Sequence, residues 1–504
     1  SGSPSTDSAT VTYTPDGTGA VATTVETKLK ESVSVKDFGA VGDGVTDDTA
    51  AIQAAIDASG AIHGVSGENY ICGAITIVAP IQLKNANFKR LNSLVAGTWF
   101  STSAAIKAHN CTWDGNKLTA NDGIVFEVTG TDTLFDSCTF TNAGGTTDGN
   151  GLHIDTDHTA TQDHQIINCS FVDNVRDGLR ANSASNLHVV GGYASGSVRG
   201  IAFQNTDATF TEKINNSTIT GFSAYDNNSG ISIGKPLIDN VTPNKFGHGN
   251  EEANYINITG CMCYDNDTNG LVLSGKNISV SGGMFSSNSS VNTFGSGILV
   301  NGDQILIDGA SVVSNSGFGI DVGGGRSVSI TGCQIIGNGF ADAGRSGLNF
   351  EGAVDGTAIG NTLLGNDVSG GSQINVWRFG FGGTPLEPFP DETRRIFLKN
   401  NIIKLVTGGY GIVINNGVKE VNINGNSFSG SDFKKYLYLD AQIANVSGNV
   451  KESGFIPAAS TVSNEIIVPD WTDNVRLFTD GSTINKITQS TADEIGTGLA
   501  WIDV

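Results

Sequence analysis

Polar side chains recur at fixed places in a motif that repeats along the chain. The motif has the form xGΦxΦ, with Φ an apolar residue, as in NGLHI at Gly151 and FGIDV at Gly319. Side chains alternate between the two faces of a strand, so the apolar pair is predicted to point inward and the residues between and after it outward. Along successive repeats the outward positions form two polar clusters, and the apolar Val272 and Leu299 separate them.

The first cluster contains the residue types that β-elimination of a uronic acid polymer requires. Elimination needs a cation or donors beside the uronate carboxylate, a base for the α-proton and a donor for the leaving oxygen. Arg180 could hold the carboxylate through two hydrogen bonds, His153 could act as the base, and Asp155 could orient the imidazole. The surrounding polar residues predicted to bind substrate are Asn182, Arg199, Gln204 and Lys235. The alternative is that these side chains line a solvated sheet without a catalytic role.

The second cluster supplies alternative catalytic carboxylates. Asp321 and Glu351 fall on successive repeats in different outward columns, and Asp342 adds a third carboxyl group in a turn. Glycoside hydrolases use two carboxyl groups about 5–9.5 Å apart, one of them kept protonated by a raised pKa. Acidic residues are also common in turns of this chain, so a purely structural role is the alternative.

The stretch INVWRFGFGGTPLEPFPDETRRIF, residues 374–397, interrupts the repeat. Its Trp377 and Arg378 are predicted to bind substrate, because aromatic rings stack on sugars and guanidinium groups hold carboxylates. Packing against a neighbouring subunit is the alternative interpretation.

The repeats predict an all-β fold, a right-handed parallel β-helix built as a single-stranded solenoid. From Gly151 to Gly347 the motif recurs every 22 to 40 residues, which suits coils of three short strands with insertions in the turns. Asparagines recur at the turns, as in YDN, SSN and VSN, where they tolerate a left-handed backbone and can stack on their copies. Cysteines in contexts such as DSCTF and INCSF predict a column of buried thiols.

One short helix is expected before the repeats. In DFGAVGDGVTDDTAAIQAAIDA, Asp47 or Asp48 could cap a helix in which Ile52, Ala55, Ile56 and Ser59 line one stripe. Such a helix would cover the open end of a β-helix, which is otherwise prone to aggregate. The expected organisation is a neck or linker (1–30), a cap with the helix (31–69), a catalytic β-helix (70–450) and a small C-terminal β domain (451–504).

Composition excludes several partners. The formal net charge of −22 over 504 residues disfavours nucleic acid and anionic membrane surfaces. No apolar run reaches transmembrane length, so membrane insertion is not expected. The seven cysteines lack metal-ligand spacing, and no phosphate-binding glycine loop occurs, so neither a metal nor a cofactor is expected.

The segment VSVKDFGAVGDGVTDDTAAIQAAIDA closely resembles the N-terminal segment of pectate-lyase-like β-helix proteins, which include alginate epimerases and bacteriophage tailspikes. The preceding VTYTPDGTGAVATTVETKLKE is similar to the neck of tailspikes that depolymerise bacterial surface polysaccharides. Alginate epimerases carry YGFDPH where this chain has NGLHID. Asn150 stands in place of the tyrosine, and His153 and Asp155 exchange the Asp and His. This departure puts epimerase activity in doubt.

The resemblance implies a homotrimeric spike on the virion tail, acting outside the cell at the host surface. It would join the phage tail or baseplate through an N-terminal domain missing from this sequence. The resulting prediction is a depolymerase of a capsule or lipopolysaccharide O-antigen, with β-elimination placed ahead of hydrolysis. A non-catalytic glycan-binding adhesin is the alternative from a different class.

Overall fold

The protein consists of two compact units, Ser1–Arg176 and Asp177–Val504. Each is a stack of coils in which short strands pair in parallel with the strands one coil away, forming three sheets that we call I, II and III. The computed structural model describes residues 7–31, 33–92, 97–117, 123–145, 148–156, 163–204, 214–234, 253–289, 295–340, 345–366, 371–377, 393–405, 409–430, 433–441, 444–447, 450–451, 465–468, 477–478 and 486–489. The predicted parallel β-helix is confirmed.

The first unit opens with an antiparallel pair, Thr12–Tyr13 with Thr23–Thr24. Its helices are Val25–Leu29, the 3₁₀ helix Val35–Phe38 and Thr49–Ala58. Sheet I contains Ile75–Ile77, Phe100–Thr102, Phe126–Val128 and Leu152–Asp155. Sheet II contains Val33–Ser34, Ala61–His63, Ile81–Lys84, Ile106–His109, Thr133–Asp136 and His164–Ile167. Sheet III contains Asp43–Asp47, Asn69–Cys72, Asn87–Arg90, Thr112–Asp114, Thr139–Thr141 and Ser170–Val172.

The second unit repeats this pattern. Sheet I contains Asp177–Ser185, Arg199–Phe203, Ser229–Ile233, Leu271–Leu273, Ser296–Val300, Phe318–Gly323, Leu348–Glu351, Ser372–Trp377, Gly409–Val418, Phe433–Ala441, Glu465–Val468 and Lys486–Gln489. Sheet II contains Leu187–Val190, Ile214–Thr220, Ala253–Thr259, Lys276–Ser281, Asp303–Asp308, Arg326–Thr331, Thr357–Ile359, Ile396–Lys399, Val421–Asn424, Ala444–Ser447 and Leu477–Phe478. Sheet III contains Tyr193–Ser195, Ser223–Tyr225, Met262–Tyr264, Met284–Ser286, Ser311–Val313, Gln334–Ile336, Thr362–Leu364, Ile402–Leu405, Ser427–Gly430 and Val450–Lys451.

A ladder of buried asparagine side chains runs along the turns that follow sheet III in the second unit. Asn288 shows its chemistry: its Oδ1 accepts hydrogen bonds from the backbone N–H (3.2 Å) and the Nδ2 (2.9 Å) of Asn266, one coil earlier. Its Nδ2 donates to the carbonyl of Cys263 at 3.0 Å and to Oδ1 of Asn315 at 2.9 Å. The same pattern joins the buried residues Asn227, Asn266, Asn288, Asn315, Asn338 and Asn366.

The predicted stacking of asparagines is therefore confirmed, but the left-handed backbone lies one residue earlier than expected. The residues before three of these asparagines, Asp265, Ser287 and Ser314, have φ of 54° to 55°. The turn at that residue directs the next side chain into the interior. There the amide pairs with backbone groups that would otherwise be buried without partners.

The predicted column of buried thiols is also confirmed. All seven cysteines are free and buried. Cys111, Cys138 and Cys169 stand directly before in-register strands of sheet III, and Cys138 donates to the carbonyl of Ala108, in the coil before, at 3.5 Å. Burial raises the pKa of the Cys261 thiol to about 11, so it is protonated at neutral pH.

The helix Thr49–Ala58 forms as predicted and buries Ile52, Ala55 and Ile56. Asp48, one of the two predicted caps, stands at the N-cap position, but its side chain makes no capping hydrogen bond. The Asp48 carboxylate instead accepts from the backbone N–H groups of Val41 (2.6 Å) and Gly42 (3.1 Å), which fastens the preceding loop. Asp47 accepts from the N–H of Thr49 at 3.0 Å and so performs the capping.

The last described strands continue the parallel pairing. Glu465–Val468 pairs with Phe433–Ala441, and Leu477–Phe478 pairs with Ala444–Ser447. The expected separate domain at 451–504 stays a prediction. Among the described residues no helix is long and apolar enough to cross a membrane.

Candidate active site

Two carboxyl groups lie on adjacent strands of sheet I in the second unit. Asp321 pairs in register with Asn349, and Gly323 pairs with Glu351. Asp321 and Glu351 therefore stand diagonally on the outward face, with backbone positions roughly 8 Å apart from strand spacing and rise.

The ionisation of these two groups is displaced and coupled. Burial raises the pKa of Asp321 to about 6, against the opposing effects of a hydrogen bond from Asn349 and the positive charge of Arg345. Burial and the negative charge of Asp321 raise the pKa of Glu351 to about 7, and Arg345 and Asn349 oppose this. Near neutral pH the pair therefore prefers one proton, held mainly by Glu351.

Asn349 connects the pair to a row of amides. Its Nδ2 donates to Oδ1 of Asp321 at 2.8 Å, and its Oδ1 accepts from Nδ2 of Asn375 at 3.2 Å. The Nδ2 of Asn415 donates to Oδ1 of Asn375 at 2.9 Å. We call Asn349, Asn375 and Asn415 the amide row.

Two further side chains flank the carboxyl pair. Arg345 places its guanidinium 4.8 Å from the centre of the Phe318 ring. Trp377 pairs in register with Glu351 on the next strand, and it is 43% exposed. An exposed indole directly beside a catalytic-type carboxyl group provides a flat surface against which a sugar ring can stack.

A second polar cluster lies on sheet I of the first unit. Glu127 and His153 are in-register neighbours, and the distance from Nδ1 of His153 to Oε1 of Glu127 is 3.7 Å. Burial and the charge of Asp155 raise the pKa of Glu127, while a 3.1 Å hydrogen bond from Oγ1 of Thr98 lowers it. His153 is buried, with 8% of its side chain exposed.

Arg180 occupies a buried ion-pair network in the second unit. Its guanidinium donates to Asp177 (3.0 Å) and to Oδ1 of Asn182 (2.7 Å). Asp177 is fully buried and also accepts two hydrogen bonds from Arg199, at 2.6 and 2.9 Å. The charge of Arg180 thus already has a carboxylate partner, which weakens it as a receptor for a uronate. Gln204, which was also predicted to bind substrate, is only 2% exposed.

The structure therefore brings only some of the predicted site residues together. It brings Asp321 and Glu351 together with Trp377 nearby, and it groups Arg180 with Asn182 and Arg199. The predictions for Lys235, Asp342 and Arg378 lie outside the described residues.

Glu127, Asp177 and Arg345 were not singled out from the sequence. Glu127 was missed because the outward columns were read only from the motif at Gly151 onward, whereas the structure pairs the preceding strand, Phe126–Val128, with Leu152–Asp155. Aligning FEV with LHI would have placed Glu127 beside His153. Asp177 stands at the x position before a motif glycine, and no periodic signal marks Arg345.

Comparisons with known proteins agree with this architecture. Residues 32–249 match the family model described as rhamnogalacturonase A/epimerase, pectate lyase-like, and residues 278–450 match the model of a right handed beta helix region. The chain therefore has a right-handed β-helix fold.

Individual relatives match either a short segment at high identity or a longer part of the chain at low identity. The mannuronan C5-epimerase AlgE5 of Azotobacter vinelandii is 58% identical over 45 residues, which are 8% of this chain and 4% of the epimerase. The A-module of the A. vinelandii epimerase AlgE6 has 18% identity and a TM-score of 0.42, covering 83% of this chain and 99% of the module. Tailspike protein 3 of bacteriophage CBA120 has 13% identity and a TM-score of 0.33, and the match covers 97% of this chain and 67% of the tailspike chain.

Proposed function

We propose that this protein cleaves a bacterial surface polysaccharide by hydrolysis, with Asp321 and Glu351 as the catalytic carboxyl groups. The observation that carries the proposal is the coupled pair itself. Two carboxyl groups on one face of sheet I have raised pKa values, about 6 and about 7, and an exposed tryptophan stands beside them. Placing hydrolysis first departs from the sequence-based prediction, which placed β-elimination ahead of hydrolysis.

The proposed roles follow from the ionisation states. Glu351 is the better proton carrier near neutral pH, so it donates a proton to the glycosidic oxygen as the bond to the sugar carbon breaks. Asp321 is ionised, so it stabilises the developing positive charge and either activates water or attacks the sugar carbon. The attacking water gives up a proton to the pair, so that Asp321 and Glu351 again hold one proton between them when the products leave.

The substrate class is supported by the matched families. The pectate-lyase-like model covers residues 32–249, and the name of the AlgE relatives specifies a polyuronate, mannuronan, as their substrate. We extend the proposal to a capsule or O-antigen polysaccharide. The resemblance of the N-terminal segment to tailspikes supports a homotrimer on a virion tail, acting at the host surface.

A second candidate reaction is β-elimination on the first unit. Glu127 and His153 face each other on adjacent strands, with 3.7 Å between Oε1 and Nδ1, and burial raises the pKa of Glu127 above its ordinary value. In this reaction His153 is the base, with Asp155 on the same strand.

Product analysis distinguishes the proposals. The protein is incubated with a panel of acidic capsules and O-antigen polysaccharides, and released oligosaccharides are weighed by mass spectrometry. We expect products that carry an added water and show no new ultraviolet absorbance. Products with the absorbance of a conjugated double bond would overturn hydrolysis and direct mutagenesis to Glu127 and His153. Binding without any product would favour the adhesin.

The pH dependence of cleavage should be bell-shaped. Activity rises with pH as Asp321 ionises near pH 6, and it falls as Glu351 loses its proton near pH 7, so the maximum is expected at about pH 6.5. Initial rates between pH 4.5 and 9 at constant ionic strength measure this. A plateau extending above pH 8 would contradict the assignment of Glu351 as the proton donor.

A further inference from the structure

Asn349 is a buried residue that contacts both carboxyl groups of the proposed pair. It belongs to the same strand as Glu351 and pairs in register with Asp321. Its Nδ2 is 2.8 Å from Oδ1 of Asp321, and its hydrogen bond to Glu351 lowers the pKa of that group as well. Asn349 is only 1% exposed, so it contacts the carboxyl pair without being open to a substrate.

The amide row gives this hydrogen bond a direction. Asn415 donates to Asn375, Asn375 donates to Asn349, and Asn349 donates to Asp321, so every NH₂ group points towards Asp321. Aligned hydrogen bonds polarise one another, which strengthens the last donor in the chain. Because an amide nitrogen only donates, the oxygen that it contacts on Asp321 is favoured in the ionised form.

The other neighbours of Asp321 do not make the same distinction. Leu299 faces it from the preceding strand and carries no charge. Among the described residues, the charged groups that act on Asp321 and Glu351 are these two carboxyl groups and Arg345, whose positive charge favours ionisation of both. The 2.8 Å hydrogen bond from Asn349 goes to Asp321, where it is the larger of the two effects that lower the pKa, whereas on Glu351 the effect of Asn349 is smaller than that of Arg345.

We propose that Asn349, supported by the amide row, is the positioning residue that keeps Asp321 ionised and thereby leaves the shared proton on Glu351. The inference rests on the proposed hydrolytic function, because it assigns the two roles within the same pair. It adds a determinant of the reaction that does not touch the substrate.

The test replaces Asn349 with leucine, which has similar size but no polar group, and measures pH–rate profiles on the polysaccharide that the product survey identifies. In N349L we expect the acidic limb of the profile to move up by about one pH unit and kcat at pH 6 to fall about fivefold. KM should stay within about twofold, because Asn349 is buried. An unmoved acidic limb would overturn the proposal, whatever the change in kcat.

Two further variants keep the test decisive. N375L leaves the bond from Asn349 to Asp321 in place but removes the group that polarises it, so the limb should move in the same direction by a smaller amount. N257A alters an exposed asparagine on sheet II and should leave the profile unchanged. An unmoved limb in N375L would contradict the role of the amide row even where N349L fails to fold.

A stability measurement supplies a readout without substrate. A carboxyl group whose pKa is raised by folding makes the folded state less stable as pH increases from its unfolded pKa, near 4, to its folded pKa. N349L raises the pKa of Asp321 further, so its unfolding midpoint should fall more steeply between pH 4 and 7 than that of the wild type. If D321N and E351Q remain active, the proposed function fails. If they are inactive but N349L leaves both readouts unchanged, only this inference fails.

Discussion

Replacing Glu351 with glutamine or Asp321 with asparagine should lower the rate of polysaccharide cleavage about 1,000-fold or more. Each substitution keeps the size of the side chain but removes one half of the proton-transfer pair, and general acid–base catalysis contributes about 10²–10⁴-fold to a rate. Binding of the polysaccharide should persist, because Trp377 and the remaining surface are unchanged. Initial rates and equilibrium binding on the same preparations measure the two effects separately.

Measuring the stability of these variants tests whether misfolding accounts for any loss of activity. Both pKa values are raised by folding, so ionising the two groups costs stability at pH 8 but not at pH 4. E351Q and D321N should therefore be at least as stable as the wild type at pH 8. D308N, at an exposed aspartate that accepts a 2.6 Å hydrogen bond from Thr331, is the matched control and should keep full activity. Retention of more than a tenth of the wild-type rate by E351Q would refute the assignment.

Replacing Asn288 with alanine should destabilise the second unit by about 3 kcal/mol or more. The change leaves the backbone N–H of Asn266 and the carbonyl of Cys263 without their partners in the interior, and it takes one acceptor from the Asn266 amide. Each buried polar group left unsatisfied costs about 1–3 kcal/mol. Guanidinium unfolding followed by circular dichroism measures the effect.

The matched control for this substitution is Asn257, which is exposed on sheet II and accepts one hydrogen bond from Ser279. N257A should change the free energy of unfolding by no more than about 0.5 kcal/mol, as is usual for surface positions. Similar effects at the two positions would show that the asparagine ladder does not stabilise the coils.

The fold was largely predictable because each coil repeats the same physical requirements. Apolar pairs such as Leu152 and Ile154 must be buried on every turn, so the sheet I strands appear in the sequence as a recurring motif. The burial of Cys138 follows from the same repeat, and the helix stripe at Ile52 follows from the separate period of an α-helix. The columns identified Asp321 and Glu351 as outward neighbours for this reason.

What the sequence could not supply was the partner of each polar side chain. Arg180 occupied the expected column, but its partner Asp177 lies three residues earlier on the same strand, at a motif position whose residue type varies between repeats. The role of Asn349 likewise depends on a register shared by two strands 28 residues apart and on the direction of its amide. Periodicity predicts which face a residue occupies, whereas hydrogen bonding depends on the coordinates of neighbouring coils.

Nearest-neighbour pairing also determines where such a molecule first comes apart. Within either unit, an inner coil pairs with one coil on each side, whereas a terminal coil pairs with only one. Separating an end coil therefore breaks half as many interfaces. Fraying is therefore expected to start at chain ends and travel inward coil by coil. The helix Thr49–Ala58, with Ile52 and Ala55 fully buried, adds contacts at a position where strand pairing begins. These contacts must be lost before the first coil can open, so we expect the helix to slow fraying at this position.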